Sequence, residues 1–162
     1  MIKRQAYLDK IIPFIDKNLI KVLTGVRRSG KTVLLTQIQD YLIESGIDKS
    51  QIIYISFESV MNEHLQDYHA LYDYLLAASK NINGKLYTFL DEIQTVASWE
   101  KVAASLLVDL DCDVYITGSN SKLLSGELAT LIAGRYVQIS VYPFVLSEAK
   151  QLLSQNGKAV SD

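Results

Sequence analysis

The stretch GVRRSGKT at residues 25–32 has the spacing G-x-x-x-x-G-K-[ST], in which each residue type has a chemical role. Backbone N–H groups of such a loop surround phosphate oxygens, and the helix that follows directs its positive dipole at the same anion. Gly25 and Gly30 allow the backbone to approach closely. Lys31 is expected to reach the β- and γ-phosphates, and the Thr32 hydroxyl to bind Mg²⁺. The predicted nucleotide-binding residues are Gly25, Val26, Arg27, Arg28, Ser29, Gly30, Lys31, Thr32 and Val33.

An acidic pair follows the apolar run at 86–90, in the sequence LYTFLDEIQ. A strand that ends in Asp at the carboxyl edge of a parallel sheet places this side chain beside the phosphate site. We therefore expect Asp91 to hold Mg²⁺ through water and, with Thr32, to form the metal site, while Glu92 orients and deprotonates an attacking water. An Asp-Glu pair at the end of a strand is also often no more than a solvent-exposed turn. The combination with the loop favours hydrolysis of a nucleoside triphosphate over binding alone.

A third polar segment, ITGSNSKL, ends the next strand-like run. Thr117, Ser119 and Asn120 have side chains that can hydrogen-bond a γ-phosphate or the attacking water. Ser119 or Asn120 can equally cap the helix that follows. The string alone is compatible with both roles.

Short β-rich runs alternate with longer amphipathic runs, which predicts an α/β fold. The predicted strands are 20–24, 52–57, 86–90, 114–117 and 136–141, with helices after the loop, at 68–79 and from Trp99 onward. Nearly continuous apolar strands indicate a parallel sheet covered on both faces. The last strand alternates apolar and polar residues, so one of its faces should be less buried, and Pro143 should end it. Ser98 is the expected N-cap of the helix from Trp99.

Composition limits the classes of function. With 162 residues, the chain is long enough for one domain with a sizeable core. Its net charge of −2 gives no overall attraction for nucleic acid or anionic membrane. The single cysteine, Cys112, excludes an internal disulfide, and this favours a reducing, cytoplasmic location. No stretch approaches the roughly 18 apolar residues of a membrane span, so we expect no membrane association.

Taken in order, GVRRSGKT, FLDEIQ, TGSNSKLLSGELATLIAGRY and VYPF resemble a prokaryotic AAA-superfamily ATPase. The branch it resembles has a double-arginine phosphate loop, and a winged helix and a nuclease-like domain often follow it. The resemblance implies a P-loop NTPase three-layer sandwich with a five-stranded, mainly parallel sheet and helices on both faces. It also implies that the strand ending at Thr117 lies between the loop strand and the Asp91 strand.

The resemblance assigns roles residue by residue. It implies that Lys31 and Thr32 serve the phosphates, that Asp91 and Glu92 serve Mg²⁺ and water, and that Ser119 and Asn120 occupy the sensor position. Arg135, in AGRY, resembles the arginine that contacts the γ-phosphate of a neighbouring subunit, so a homo-oligomer is implied. Pairing of Arg135 with a local carboxylate is an equally good interpretation. The predicted catalytic residues are thus Glu92, Lys31, Ser119, Asn120 and Arg135.

We expect residues 1–155 to form the ATPase core and 156–162 a disordered tail, with the lid and C-terminal domains of such ATPases absent. ATP is the expected substrate and Mg²⁺ the expected cofactor. A nucleotide-gated regulatory or DNA-associated module with little hydrolysis is the alternative. A kinase is less favoured because the adjacent carboxylates suit hydrolysis, and a GTPase because no N-K-x-D motif follows a strand. The sequence does not indicate a protein or DNA client.

Overall fold

A computed structural model describes residues 2–119, 123, 130, 132–144, 148, 150, 153 and 154. Five strands form one sheet: β1 (Ile20–Thr24), β2 (Ile52–Ser56), β3 (Leu86–Asp91), β4 (Cys112–Gly118) and β5 (Tyr136–Ser140). Their order is β2-β3-β4-β1-β5, and every neighbouring pair is parallel. The α/β class and the position of β4 between the loop strand and the Asp91 strand are therefore confirmed.

Within residues 2–119, the α-helices are α1 (Gln5–Ile11), α2 (Lys31–Glu44), α3 (Tyr68–Lys80) and α4 (Trp99–Asp109). Short 3₁₀ turns occupy Ile12–Phe14, Lys49–Gln51, Val60–Leu65 and Ile93–Thr95. Helix α1 is not among the helices predicted from the sequence, and it buries only Leu8 and Ile11. None of the described helices is long and apolar enough to cross a membrane.

Two apolar cores lie on opposite faces of the sheet. One face packs against α3 and α4, which contribute Leu71, Leu75, Val102 and Leu106. The other face is covered by α1 and α2, and its core includes the stacked rings of Phe89 and Tyr115. Helices on both faces explain why β1, β3 and β4 are buried along their whole length, since a parallel sheet of this kind has no solvated face.

The edge strand β5 is less buried than its neighbour β1. Gln138 is exposed whereas Ile139 is buried, as the alternating pattern predicts. One local prediction is confirmed in position but not in the hydrogen bond that it implied. Ser98 occupies the N-cap position of α4, but its φ is +60° and its side chain makes no capping hydrogen bond.

Because all strands are parallel, their carboxyl ends lie at one edge and their amino ends at the other. Thr24, Asp91 and Gly118 end the three central strands at the carboxyl edge. At the amino edge, Lys21 and Asp113 form a fully buried ion pair, and the Tyr115 hydroxyl donates to Asp113 at 2.7 Å. Burial lowers the pKa of Lys21, while Asp113 opposes this shift. The polar groups at the carboxyl edge form the candidate site.

Candidate nucleotide-binding site

The loop between β1 and α2 has a backbone that depends on its glycines. Gly30 has φ +93°, and Arg28 also lies in the left-handed region at +64°. A Cβ atom on Gly25 would collide with the Val141 carbonyl oxygen and approach Ser29 Oγ to 2.7 Å. Close packing against the segment after β5 therefore requires glycine at position 25.

The Lys31 ammonium lies over this loop. Its Nζ donates to the carbonyl oxygens of Gly25, at 2.8 Å, and Val26, at 3.0 Å. It is also 3.7 Å from Glu92 Oε1, and the Lys31 side chain is only 5% exposed. A positive charge and a carboxylate thus face each other where the strands β1 and β3 end.

The Asp91 carboxylate accepts hydrogen bonds from three hydroxyl groups. Thr32 Oγ1 and Tyr54 Oη donate to Oδ2 at 2.8 and 2.7 Å, and Thr117 Oγ1 donates to Oδ1 at 2.5 Å. Asp91 is 2% exposed. Burial and the Asp91 carboxylate both raise the pKa of Tyr54, which keeps its hydroxyl protonated as a donor. Residues from β2, β3, β4 and α2 therefore meet at one carboxylate.

Thr32 and Asp91 fit the requirements of Mg²⁺. This cation prefers oxygen ligands, and in phosphate sites it takes one or two protein oxygens together with water and substrate phosphates. The Thr32 hydroxyl is in contact with Asp91 Oδ2, and Thr32 is exposed at the start of α2. The pair would hold the ion directly through Thr32 and through water at Asp91.

Glu92 is held by neighbours on three sides. Its backbone, with φ +58°, donates from N to Thr117 Oγ1 at 2.9 Å. Its carboxylate lies between Lys31 and Gln94, whose Nε2 donates to Oε2 at 2.5 Å. Thr117 consequently supports both members of the acidic pair, and Gln94 fixes the orientation of the second.

A cleft of about 290 Å³ opens between these groups. It is lined by Gly25, Arg27, Lys31, Glu58, Glu92, Gln94 and Ser119. Gln94 Oε1 and Ser119 Oγ are buried without a hydrogen-bond partner among the described residues. Buried polar atoms of native proteins are normally satisfied, so unpaired oxygens at a cleft indicate groups ready for a ligand or water.

The structure brings together most of the predicted site residues. Val26 is 63% exposed, Arg27 and Arg28 are also exposed, Ser29 is buried and Val33 is half-buried. Asn120 lies outside the described residues.

Arg135 does not join the cleft of its own chain. It precedes β5 and accepts a hydrogen bond from Ile20 N through its carbonyl, so it lies at the amino edge. The five residues of β1 separate this edge from the loop by about 16 Å, at roughly 3.3 Å per residue.

Tyr54 was not predicted from the sequence as a site residue, and Gln94 was given no role. Gln94 belongs to the string FLDEIQ, so its nearness to Glu92 was the one available signal. Tyr54 reaches Asp91 because β2 pairs with β3, and Ser56 lies opposite Asp91 in the register. Such a contact depends on strand order, which spacing along the chain does not reveal.

The chain is similar in sequence to several known proteins. A family model for the AAA domain matches residues 17–150. An uncharacterized protein of Haemophilus influenzae is 45% identical over 159 residues, covering 96% of this chain and 40% of that protein. The uncharacterized protein MJ1544 of Methanocaldococcus jannaschii is 37% identical, covering 92% of this chain and 31% of that protein. The chain thus spans less than half the length of these relatives.

Solved structures share the fold at low sequence identity. AMPPCP-bound DnaA from Aquifex aeolicus aligns with a TM-score of 0.62 and 17% identity, over 98% of this chain and 53% of that one. A DNA polymerase III gamma subunit-related protein from Thermotoga maritima aligns with a TM-score of 0.64 and 12% identity, over 91% of this chain and 49% of that one. At these identities, the likeness concerns the fold alone.

Proposed function

This chain belongs to the AAA domain family, and on that premise we propose that it binds ATP with Mg²⁺ and hydrolyses it to ADP and phosphate. One observation carries the proposal: Thr32 contacts Asp91 at the same edge where Lys31 faces Glu92. The side chains proposed to bind phosphate, to hold the metal ion and to accept the proton thus lie together at the carboxyl edge of the sheet.

In the proposed reaction each side chain has a separate task. Lys31 leaves its loop carbonyls and binds the β- and γ-phosphates, which neutralises their charge. Thr32 and Asp91 would hold Mg²⁺, and the bound ion would stabilise the charge that develops on the phosphate oxygens. Glu92 orients a water and accepts its proton as the water oxygen bonds to the γ-phosphorus and the bond to the ADP oxygen breaks.

Gln94 and Ser119 support this water. Gln94 holds the Glu92 carboxylate through Nε2, and its Oε1 can accept a hydrogen bond from the water. The Ser119 hydroxyl lines the same cleft and can donate to the γ-phosphate. We assign two tasks to Gln94, which positions Glu92 through Nε2 and contacts the attacking water through Oε1, and we assign Ser119 as a contact of the γ-phosphate.

For the whole protein, we propose that hydrolysis drives conformational work. The chain spans only 40% of the Haemophilus influenzae relative, so the work would be done on or by segments outside this domain. A nucleotide-gated module, DNA-associated or regulatory, is the competing interpretation, and it predicts binding with little turnover.

The binding site is tested by thermal unfolding with and without Mg-ATP. At about a hundred times Kd, ATP should stabilise the fold by ~2.7 kcal/mol and raise Tm by several degrees. Lys31→Ala should abolish this increase, because it removes the cation that contacts the phosphates. The exposed Lys80 provides the matched control, since Lys80→Ala should keep the full shift. A shift that survives in Lys31→Ala would disprove the assigned site.

Glu92→Gln separates binding from hydrolysis. The amide keeps the size of the side chain but cannot accept the proton of water, so turnover should fall by about a hundredfold or more. The Tm increase with Mg-ATP should remain. Phosphate release measures the turnover, and Glu44→Gln, on the exposed end of α2, is the control. Normal hydrolysis by Glu92→Gln would refute the base, and no hydrolysis by the unaltered chain would favour the nucleotide-gated module.

A further inference from the structure

Arg4 places a buried guanidinium directly against the phosphate loop. The residue is 1% exposed, and its Nη1 donates to the Ser29 carbonyl oxygen at 2.7 Å. A Cβ atom on Gly30 would lie 2.8 Å from the same Nη1. The guanidinium therefore contacts the two residues that precede Lys31.

The other side of the guanidinium binds the segment that follows β5. Nη2 donates to the Tyr142 carbonyl oxygen at 2.7 Å. The Glu148 carboxylate accepts hydrogen bonds from Nε at 3.1 Å and from Nη2 at 3.3 Å. The Phe144 ring centroid lies 4.9 Å from the guanidinium carbon. A bidentate ion pair of this kind fixes the orientation of the guanidinium as well as its distance from the carboxylate.

The backbone of Arg4 is anchored to α2. Its N–H donates to Gln37 Oε1 at 2.9 Å, and Gln37 Nε2 donates in return to the Ile2 carbonyl oxygen. Gln37 is itself buried. Arg4 is thus held in place by the helix that begins at the loop.

Peptide geometry connects this contact with phosphate binding. The peptide unit between Ser29 and Gly30 is planar and trans, so its C=O and N–H point in opposite directions. When Arg4 binds the Ser29 oxygen, the Gly30 N–H is directed to the side of the loop away from Arg4. Loop N–H groups oriented in this way are the ligands of a phosphate.

We propose that Arg4 is the positioning residue of the phosphate loop, and that it couples the conformation of this loop to residues 142–144 and Glu148. Moving either the Ser29 carbonyl or Glu148 would leave a buried guanidinium N–H unpaired, which is unfavourable. The loop conformation that presents the Ser29 carbonyl and the position of Glu148 after β5 therefore stabilise each other. By reciprocity, occupation of the loop stabilises the segment, and release of the segment loosens the loop. The proposal rests on the proposed function only in treating the loop as the phosphate site.

Hydrogen exchange of the unliganded chain tests the coupling. Glu148→Gln removes the charge from the segment side without touching the loop. We expect amides of residues 25–32 to exchange about tenfold faster, while amides of β3 keep their rates. The exposed Glu63 has no contact with Arg4, and Glu63→Gln should leave the loop unchanged. Unaltered loop exchange in folded Glu148→Gln would overturn the proposal.

A second variant and a ligand extend the test. Arg4→Lys keeps the positive charge but loses the planar guanidinium, so amides of the loop should also exchange faster in this variant. Loop exchange at the wild-type rate in Arg4→Lys would contradict the role of the guanidinium. Added Mg-ATP should slow the exchange of amides at 142–144 in the unaltered chain. Binding of ATP without such slowing would refute the coupling. If ATP does not bind, the proposed function fails, whereas the comparison of Glu148→Gln with Glu63→Gln still decides the role of Arg4.

Discussion

The carboxylate of Asp91 is shared by three hydroxyl groups from three different elements. Two of them, Thr32 and Tyr54, donate to the same oxygen, and Thr32 is the proposed ligand of Mg²⁺. If Thr32 turned its oxygen toward a metal ion, Tyr54 would still be able to donate to Oδ2. We infer that Tyr54 keeps the carboxylate oriented during binding.

Tyr54→Phe tests this inference. Loss of the phenol hydroxyl should raise the Mg²⁺ concentration for half-maximal ATP-dependent stabilisation by about tenfold, equivalent to ~1.4 kcal/mol. Thermal unfolding over a series of Mg²⁺ concentrations measures it. Tyr74 is exposed on α3, so Tyr74→Phe is the control. A Tyr54→Phe protein with an unchanged or lower midpoint would show that the hydroxyl is dispensable for the metal site.

The residues whose place at the site was predictable from sequence are those that belong to a local pattern. The spacing of the loop places Lys31 and Thr32, and the adjacency of Asp91 and Glu92 defines the acidic pair. The contacts of Arg4 could not be predicted in this way, because its partner Glu148 is 144 residues away. In the sequence it reads as one of two basic residues near the start, with no sign that the charge is buried.

At the scale of elements, α2 has a left-handed glycine at both ends. Gly30, with φ +93°, precedes its first turn, and Gly46, with φ +101°, follows its last. Their surroundings differ, because a Cβ on Gly46 would have no atom within 4 Å whereas one on Gly30 would press on Arg4. Substitutions at these two positions therefore distinguish the free-energy cost of a left-handed backbone from the cost of steric crowding.

Alanine at the two positions should therefore have unequal effects. Gly46→Ala should lower the free energy of unfolding by ~1 kcal/mol, the cost of a left-handed L-residue. Gly30→Ala should lower it by ~2–4 kcal/mol, since overpacking against a firmly bonded guanidinium adds to that strain. Urea unfolding gives both values. Equal losses would mean that Arg4 yields easily and does not hold the loop rigidly.

The longer elements follow patterns visible in the sequence, whereas the short first helix does not. The apolar positions Trp99, Val102, Ala103, Leu106 and Leu107 fall on one helical face, and all of them are buried in α4. Helix α1 has seven residues and only two buried apolar side chains, too few to give a clear period. Its position depends on α2 and on Arg4, hence on tertiary contacts.

At the scale of the whole molecule, Arg135 and the phosphate loop lie at opposite edges of one sheet. An arginine there cannot serve the cleft of its own chain, and a second copy would have to present it. We propose a homo-oligomer in which Arg135 contacts the γ-phosphate bound by a neighbour.

Mixing two inactive variants tests this assembly. Arg135→Ala retains a complete cleft but supplies no arginine, and Glu92→Gln supplies the arginine but lacks the base. Each alone should turn over slowly, and an equimolar mixture should recover part of the activity at mixed interfaces. Phosphate release measures the recovery, with sedimentation confirming assembly. No recovery in an assembled mixture would refute action between subunits.

The contact between Arg4 and Glu148 also has a consequence for the order of events during synthesis. Arg4 leaves the ribosome 144 residues before its partner. Strand β1 likewise pairs with β4 and β5, both from the second half of the chain. Parallel pairings of such long separation form late. A nascent chain that already contains GVRRSGKT therefore lacks the supports of this loop, and competence for ATP should arise only when nearly the whole domain has been translated.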